Sequence, residues 1–274
     1  MSTESGFLDT DGARIYYEVD GDGQPVVLIH AGVANLRMWD DQVAALCDAY
    51  RVIRFDTRGF GRTETDAVEF SNRADVAAVM DHLGVDRAHV GGLSRGGQIA
   101  LDFALERPER VRSLVVAGGG VGGYEAPEET DASVFQQAER WEEARDWDRL
   151  SEWETAYWVD GPGQPPTRVD PDLRAKVHDW ILSDYRAEKE AGRPQPLDPP
   201  AATRLDGLRV PLLVMVGTLD DPGTQGHMRH LAERVPGARL EVFEGAAHML
   251  NLEQPEHFNT VLREFLAGVP AAGR

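Results

Sequence analysis

Between Gly118 and Pro211 the sequence loses its strands. Before that gap, residues 14–19, 25–30, 51–55, 88–92 and 113–117 read as β-branched or aromatic strands. Helical stretches at 38–49, 71–83 and 96–106 separate most of them. Beyond it the rhythm resumes with a strand at 211–217, a helix at 226–235, a strand at 239–243 and a helix at 255–267. Such alternation builds parallel βαβ units whose sheet is covered on both faces. Inside the gap the sequence predicts only helices, at 131–145, 148–158 and 171–191, followed by a Pro-rich connector at 194–200. The third has Asp170 as N-cap, Pro171 at its first position and Gly192 just past its end. The expected architecture is an α/β core of residues 1–120 and 207–274, with an all-helical insertion, 121–206, lying over the carboxyl edge of the sheet. Open α/β sheets place their ligands at that edge.

Composition narrows the function. A chain of 274 residues, 42% hydrophobic, has the material for a substantial core. With 28 basic against 47 acidic side chains, its net charge of −19 opposes the phosphate contacts that nucleic-acid binding needs. No apolar run approaches the roughly 18–20 residues that span a bilayer. Met1 to Gly12 carries neither the basic nor the apolar region of a secretory signal. The expectation is a cytoplasmic protein, without membrane or nucleic-acid partners, that acts on a small molecule. Cys47 is the single cysteine, which excludes an intramolecular disulfide and reads as a small core residue. The acidity is uneven: 121–206 holds 20 acidic and 10 basic residues beside five of the six tryptophans. The approach to a site beneath that insertion is therefore expected to be acidic outside and aromatic within.

The chemistry is concentrated in Gly92-Leu93-Ser94-Arg95-Gly96, a G-x-S-x-G set between a strand and a helix. A serine on so sharp a turn stands exposed above the sheet, and small neighbours (Gly91, Gly92, Gly96, Gly97) are needed for the backbone to close. The helix that follows points its N–H groups at charge developing near Ser94. A nucleophilic serine needs a base and an orienting acid, expected in the order Ser, Asp, His. His248, just after the last strand, is the candidate base; Asp220, after the preceding strand, is the preferred acid, with Asp221 as its rival. The position after the strand at 113–117 reads Gly118-Gly119-Gly120 and offers no carboxylate. His227 and His230, one helical turn apart, lack an evident third ligand and read as a solvated helix face, so no metal is expected. His30 is expected to orient a loop, and His82 and His89 to be structural.

With these motifs the chain resembles α/β-hydrolase-fold enzymes, specifically serine esterases and lactonases with a helical cap, over nearly its whole length. Leu28-Ile29-His30-Ala31-Gly32, Arg37-Met38-Trp39-Asp40 and Phe55-Asp56-Thr57-Arg58-Gly59-Phe60-Gly61-Arg62 agree with the family pattern. Two positions depart from it: Ala31 stands where a glycine is usual and Thr63 where a serine is usual. The resemblance implies a mostly parallel eight-stranded sheet. It also implies an oxyanion hole formed by the N–H groups of Arg95 and of Gly32, or of Val33 if the loop is shifted. It further implies hydrolysis of a small carboxylic ester or lactone through an acyl-enzyme, with Ser94, His248 and Asp220 as triad and no cofactor. Enol-lactonases, C–C bond hydrolases, peptidases and cofactor-free haloperoxidases share the triad and stay open as alternatives, as does a non-catalytic binding protein. The Arg95 side chain is expected to pair with a cap carboxylate, to face solvent or to touch substrate. Trp141, Trp153, Trp158 and Trp180 are candidates to line the pocket.

Overall fold

The computed structural model describes residues 4–127 and 133–270. Its main strands are β1 (Glu4–Thr10), β2 (Ala13–Asp20), β3 (Gln24–Ile29), β4 (Tyr50–Phe55), β5 (Ala88–Leu93), β6 (Val111–Ala117), β7 (Leu212–Gly217) and β8 (Arg239–Phe243). They lie in the order β1-β2-β4-β3-β5-β6-β7-β8, antiparallel as far as β4 and parallel from there on. A two-residue bridge, Glu64–Thr65, pairs with β2. The sequence predicts no strand at β1. Its residues are exposed or half-buried, so the strand carries little hydrophobic signal and is held by pairing with β2.

The helices are α1 (Asp40–Leu46), α2 (Asn72–His82), α3 (Arg95–Glu106), α4 (Ser133–Glu143), α5 (Trp147–Glu154), α6 (Pro171–Arg186), α7 (Pro222–Arg234), α8 (Leu250–Glu253) and α9 (Pro255–Gly268). Alternation along β3 shows how they cover the sheet. Val27 and Ile29 join a core with residues of α2, α3 and α7, while Val26 and Leu28 join another with α1 and α9. No helix among the described residues is long and apolar enough to cross a membrane.

Between β6 and β7 the regular structure of the described chain is helical apart from one short bridge, with two differences from expectation. Arg193–Pro194 forms a short parallel bridge with Glu69–Phe70, and α6 stops at Arg186 rather than 191. After Ala187 the backbone turns at Glu188 (φ 45°). The segment is then drawn to the core, where Lys189 reaches the Gly61 carbonyl and the Arg193 N–H the Val68 carbonyl. Gly192 (φ 64°) therefore serves this connector rather than a helix end. α5 runs straight into a π-helical turn, Thr155–Asp160. Asp131, predicted to begin α4, lies outside the described residues.

Parallel register aligns the strand ends that matter. Ile29 pairs with Gly92, Gly92 with Val116, and Val116 with Val214, so His30, Ser94, Gly118 and the turn after Gly217 emerge along one edge. The loop from Asp56 to Thr63 borders that edge. It is clamped by Arg58, whose guanidinium makes two 2.8 Å hydrogen bonds to Asp75 of α2 and lies over the Phe70 ring. Both side chains are buried. Removing one charge of such a pair leaves the other stranded, so Asp75→Asn is expected to destabilise the fold by about 3–5 kcal/mol in urea denaturation.

Candidate active site

Ser94 sits at φ 57°, ψ −123°, between the last residue of β5 and the first of α3, a conformation that side chains rarely adopt and that costs on the order of 1–3 kcal/mol. The glycines make the turn possible. A Cβ on Gly92 would lie 2.2 Å from the Gly96 carbonyl oxygen, and one on Gly96 would lie 2.1 Å from that of Ile29. The Ser94 N–H is held by the Ala117 carbonyl at 2.8 Å. As the first residue of α3, Arg95 has no helical carbonyl behind it to receive its N–H.

The structure brings His248 and Asp220 together. His248 Nδ1 lies 2.9 and 3.0 Å from the two Asp220 carboxylate oxygens, and both side chains are buried. Asp220 Oδ1 also accepts the Asp221 N–H at 2.7 Å. With Nδ1 donating to a carboxylate, Nε2 is the free ring nitrogen. It is buried and has no hydrogen-bond partner among the described residues. Ser94 and His248 line one cavity of about 440 Å³, together with Gln98, the three glycines after β6, Phe135 and Trp158. Gly118 explains its own presence: a Cβ there would press within 3.2–3.3 Å of the His248 ring and the Asp220 carboxylate. Asp221 is otherwise employed, capping α7 through the Thr224 N–H and accepting the Tyr157 hydroxyl at 2.6 Å.

Several supports were invisible in the sequence because they join residues far apart in the chain. Trp158 of the insertion lies against the His248 ring, centroids 4.6 Å apart. Arg168 bonds the Gly245 carbonyl and Glu253, and Glu253 accepts the Ala247 N–H, so the loop carrying His248 is gripped from both sides. The other tryptophans divide. Trp153 stacks on Tyr157 and meets Phe135, one ring removed from the cavity, while Trp180 packs on the core beneath Lys176. Neither Trp180 nor Trp141 lines the Ser94 cavity. His227 and His230 are not a solvated face: His227 Nδ1 accepts the Val121 N–H and His230 stacks on Tyr124 at 3.7 Å. Among the described residues no cluster could hold a metal.

Gly32 and Val33 border a second cavity, of about 430 Å³, between the Phe60 loop and the inserted helices. Trp147, not foreseen as a pocket residue, lines it and stacks on Tyr185. The Arg95 side chain is half-buried, borders the Ser94 cavity and pairs with no carboxylate among the described residues. It passes beneath Gly32, donates to Thr57 Oγ1 at 2.5 Å and to Asn72 Oδ1 at 3.4 Å, and lies over Phe60. Burial pulls its pKa down to about 10, which leaves it cationic at neutral pH.

With fold and geometry in place, comparison with known proteins is decisive. Residues 24–255 match the alpha/beta hydrolase fold family. The chain belongs to that family. It is 27% identical to the carboxylesterase YbfK of Bacillus subtilis, over 98% of this chain and 89% of that one. It is 29% identical to 3-oxoadipate enol-lactonase 2 of Acinetobacter baylyi, over 82% of each. The crystal structure of the enol-lactonase from Burkholderia xenovorans LB400 superimposes with a TM-score of 0.78 at 26% identity, covering 96% of this chain and 100% of the other.

Glu154, in the second cavity, accepts the Tyr185 hydroxyl at 2.9 Å, and burial pushes its pKa up to about 7 from an ordinary value of 4.5. Between those two values the folded chain holds a proton that the unfolded chain has released, so stability falls as pH rises through that window. Glu154→Gln is expected to raise the melting temperature at pH 8 and to leave it nearly unchanged at pH 4.5; thermal scans at both pH values check this.

Proposed function

We propose that this protein is a serine hydrolase of small carboxylic esters or lactones that works through an acyl-enzyme. One observation carries the reading: the His248 ring is fixed by Asp220 through Nδ1, while its unpartnered Nε2 and Ser94 share a cavity. Ser94 Oγ attacks the carbonyl as His248 Nε2 takes its proton. Asp220 holds the imidazole in the tautomer this requires and stabilises the imidazolium that forms. The tetrahedral oxyanion rests on the N–H groups of Arg95 and Gly32, each donor lowering the barrier by about 3–4 kcal/mol. His248 then protonates the leaving alcohol, and in deacylation it activates water for attack on the acyl-Ser94 carbonyl. No step calls for a metal or organic cofactor.

Residues 121–206 act in this reading as a cap over a core of 1–120 and 207–274, with Trp158 as the cap's contact to the catalytic imidazole. The acidic surroundings favour neutral or cationic substrates, because they generate a field that repels anions. Arg95 also borders the Ser94 cavity and stays cationic, so it offsets this field only in part, two of its donors being taken by Thr57 and Asn72.

Ser94→Ala is expected to lower kcat on p-nitrophenyl butyrate by about 10⁴-fold or more while leaving the melting temperature intact; turnover persisting at the wild-type rate would refute the assignment. Among substrates, kcat/KM should be higher for neutral p-nitrophenyl butyrate than for mono-p-nitrophenyl succinate, whose carboxylate the field opposes. Preference for the succinate would mean instead that a cation receives the substrate.

A further inference from the structure

The Arg95 guanidinium is a half-buried cation with an unusual set of partners. Among the described residues no carboxylate oxygen lies within ion-pair distance of it, although the chain has 47 acidic residues. Asp75, the carboxylate nearest in electrostatic effect, is already bound twice by Arg58. Arg95 instead donates to the neutral Thr57 hydroxyl. That hydroxyl leads somewhere definite. Thr57 Oγ1 is 3.0 Å from His30 Nε2, and the Thr57 backbone N–H donates to the same nitrogen at 2.9 Å.

The direction of every bond in this chain follows from elementary donor rules. A backbone N–H can only donate, so His30 Nε2 is an acceptor, and in the contact between that nitrogen and the Thr57 hydroxyl the hydroxyl is the donor. The imidazole proton therefore resides on Nδ1, which donates to the Ala31 carbonyl at 2.7 Å. Burial reinforces the neutral form by pulling the His30 pKa down to about 3. The Ala31 carbonyl belongs to the peptide unit that ends in the Gly32 N–H, and in a trans peptide the two point in opposite directions. Fixing one fixes the other. The Ala31 N–H is tied in turn to the Met38 sulfur at 3.2 Å, and the Ala34 N–H also reaches the Ala31 carbonyl.

We propose that the Arg95 side chain is a positioning residue of the oxyanion hole, acting through Thr57 and His30 on the Ala31–Gly32 peptide whose N–H is one of the two donors. The inference rests on the hydrolase reading above. Arg95 then contributes twice, with its own N–H as one donor and its guanidinium as the anchor that aims the other. Hydrogen bonds running in one direction from a cation polarise one another, so the Ala31 carbonyl is held by a strengthened donor and the Gly32 N–H becomes a better one. The long arginine stem adds a mechanical link, since its Cβ and Cδ lie 3.7 and 3.6 Å from where a Gly32 Cβ would be. This also accounts for Ala31 at a position where a glycine is usual: the peptide is aimed by side-chain hydrogen bonds, and its φ stays outside the glycine region.

Arg95→Met keeps the stem but removes the guanidinium, Thr57→Val removes the hydroxyl, and Thr57→Ser restores it. With p-nitrophenyl butyrate as substrate, R95M and T57V are expected to lower kcat by about ten- to a hundredfold, less than the 10²–10³ seen when an oxyanion donor is deleted, with KM little changed. Phenylboronic acid forms a tetrahedral adduct on an activated serine, so its affinity should fall by the same factor as kcat. The R95M/T57V double variant should be little worse than either single one, because both break the same chain, and T57S should recover most of what T57V loses. Unchanged kcat and boronate affinity in T57V would overturn the proposal even if R95M failed to fold. So would a loss of kcat that boronate affinity does not follow, or that T57S does not recover. A wild-type protein that neither hydrolyses the ester nor binds phenylboronic acid would refute the hydrolase reading itself, and the relay with it.

Discussion

The approach of three backbone segments at Ser94 governs much of this molecule. β3, β5 and the start of α3 come so close that the Gly96 carbonyl and the Ile29 carbonyl occupy the space where side chains at 92 and 96 would go. The turn closes only with glycine at both positions, and it leaves Ser94 in a conformation maintained by its neighbours rather than by its own preference. The loop after β3, the helix dipole of α3 and the Ala117 bond to the Ser94 N–H all register against that turn. Parallel pairing carries the alignment across to Gly118 and the segment after β7, and so to Asp220 and His248.

The inserted helices meet the core at points that matter for the chemistry. Trp158 covers His248, Tyr157 holds Asp221, Arg168 grips the His248 loop, and Asp184 receives the Gly61 N–H. These contacts pack Trp158 on one side of the imidazole and fix the loops around it. Electrostatic costs collect at the same place. The Asp56 carboxyl, which accepts the N–H groups of Leu36 and Arg62, is pushed up to about 6 by burial, and Glu154 rises for the same reason. Sites that gather buried titratable groups in this way trade stability for organisation.

Much of this was legible in the sequence, for identifiable reasons. The α/β alternation, the strandless insertion and the glycine-flanked serine are local patterns, and spacing alone put Asp220 and His248 after adjacent strands. Asp220 and Asp221 could not be separated with certainty by spacing, because one step along a turn reverses the side chain's direction; the structure gives the first to His248 and the second to α7 and Tyr157. β1 was illegible because its burial pattern is mostly polar and half-exposed. The course of Arg95 was equally hidden, since Thr57 and Asn72 reach it from distant loops. The same holds for the tryptophans: a run of aromatic residues in helices predicts a packed subdomain, and only tertiary contact distinguishes Trp158 over the imidazole from Trp180 in the core.

The account's central claim, that Ser94 is a nucleophile activated by His248, is tested most directly by intact-protein and peptide mass spectrometry after treatment with a fluorophosphonate. The account predicts one phosphonyl group per chain, located on Ser94, with labelling slowed by several orders of magnitude in His248→Ala. No adduct on Ser94, or equal labelling in the His248 variant, would contradict it.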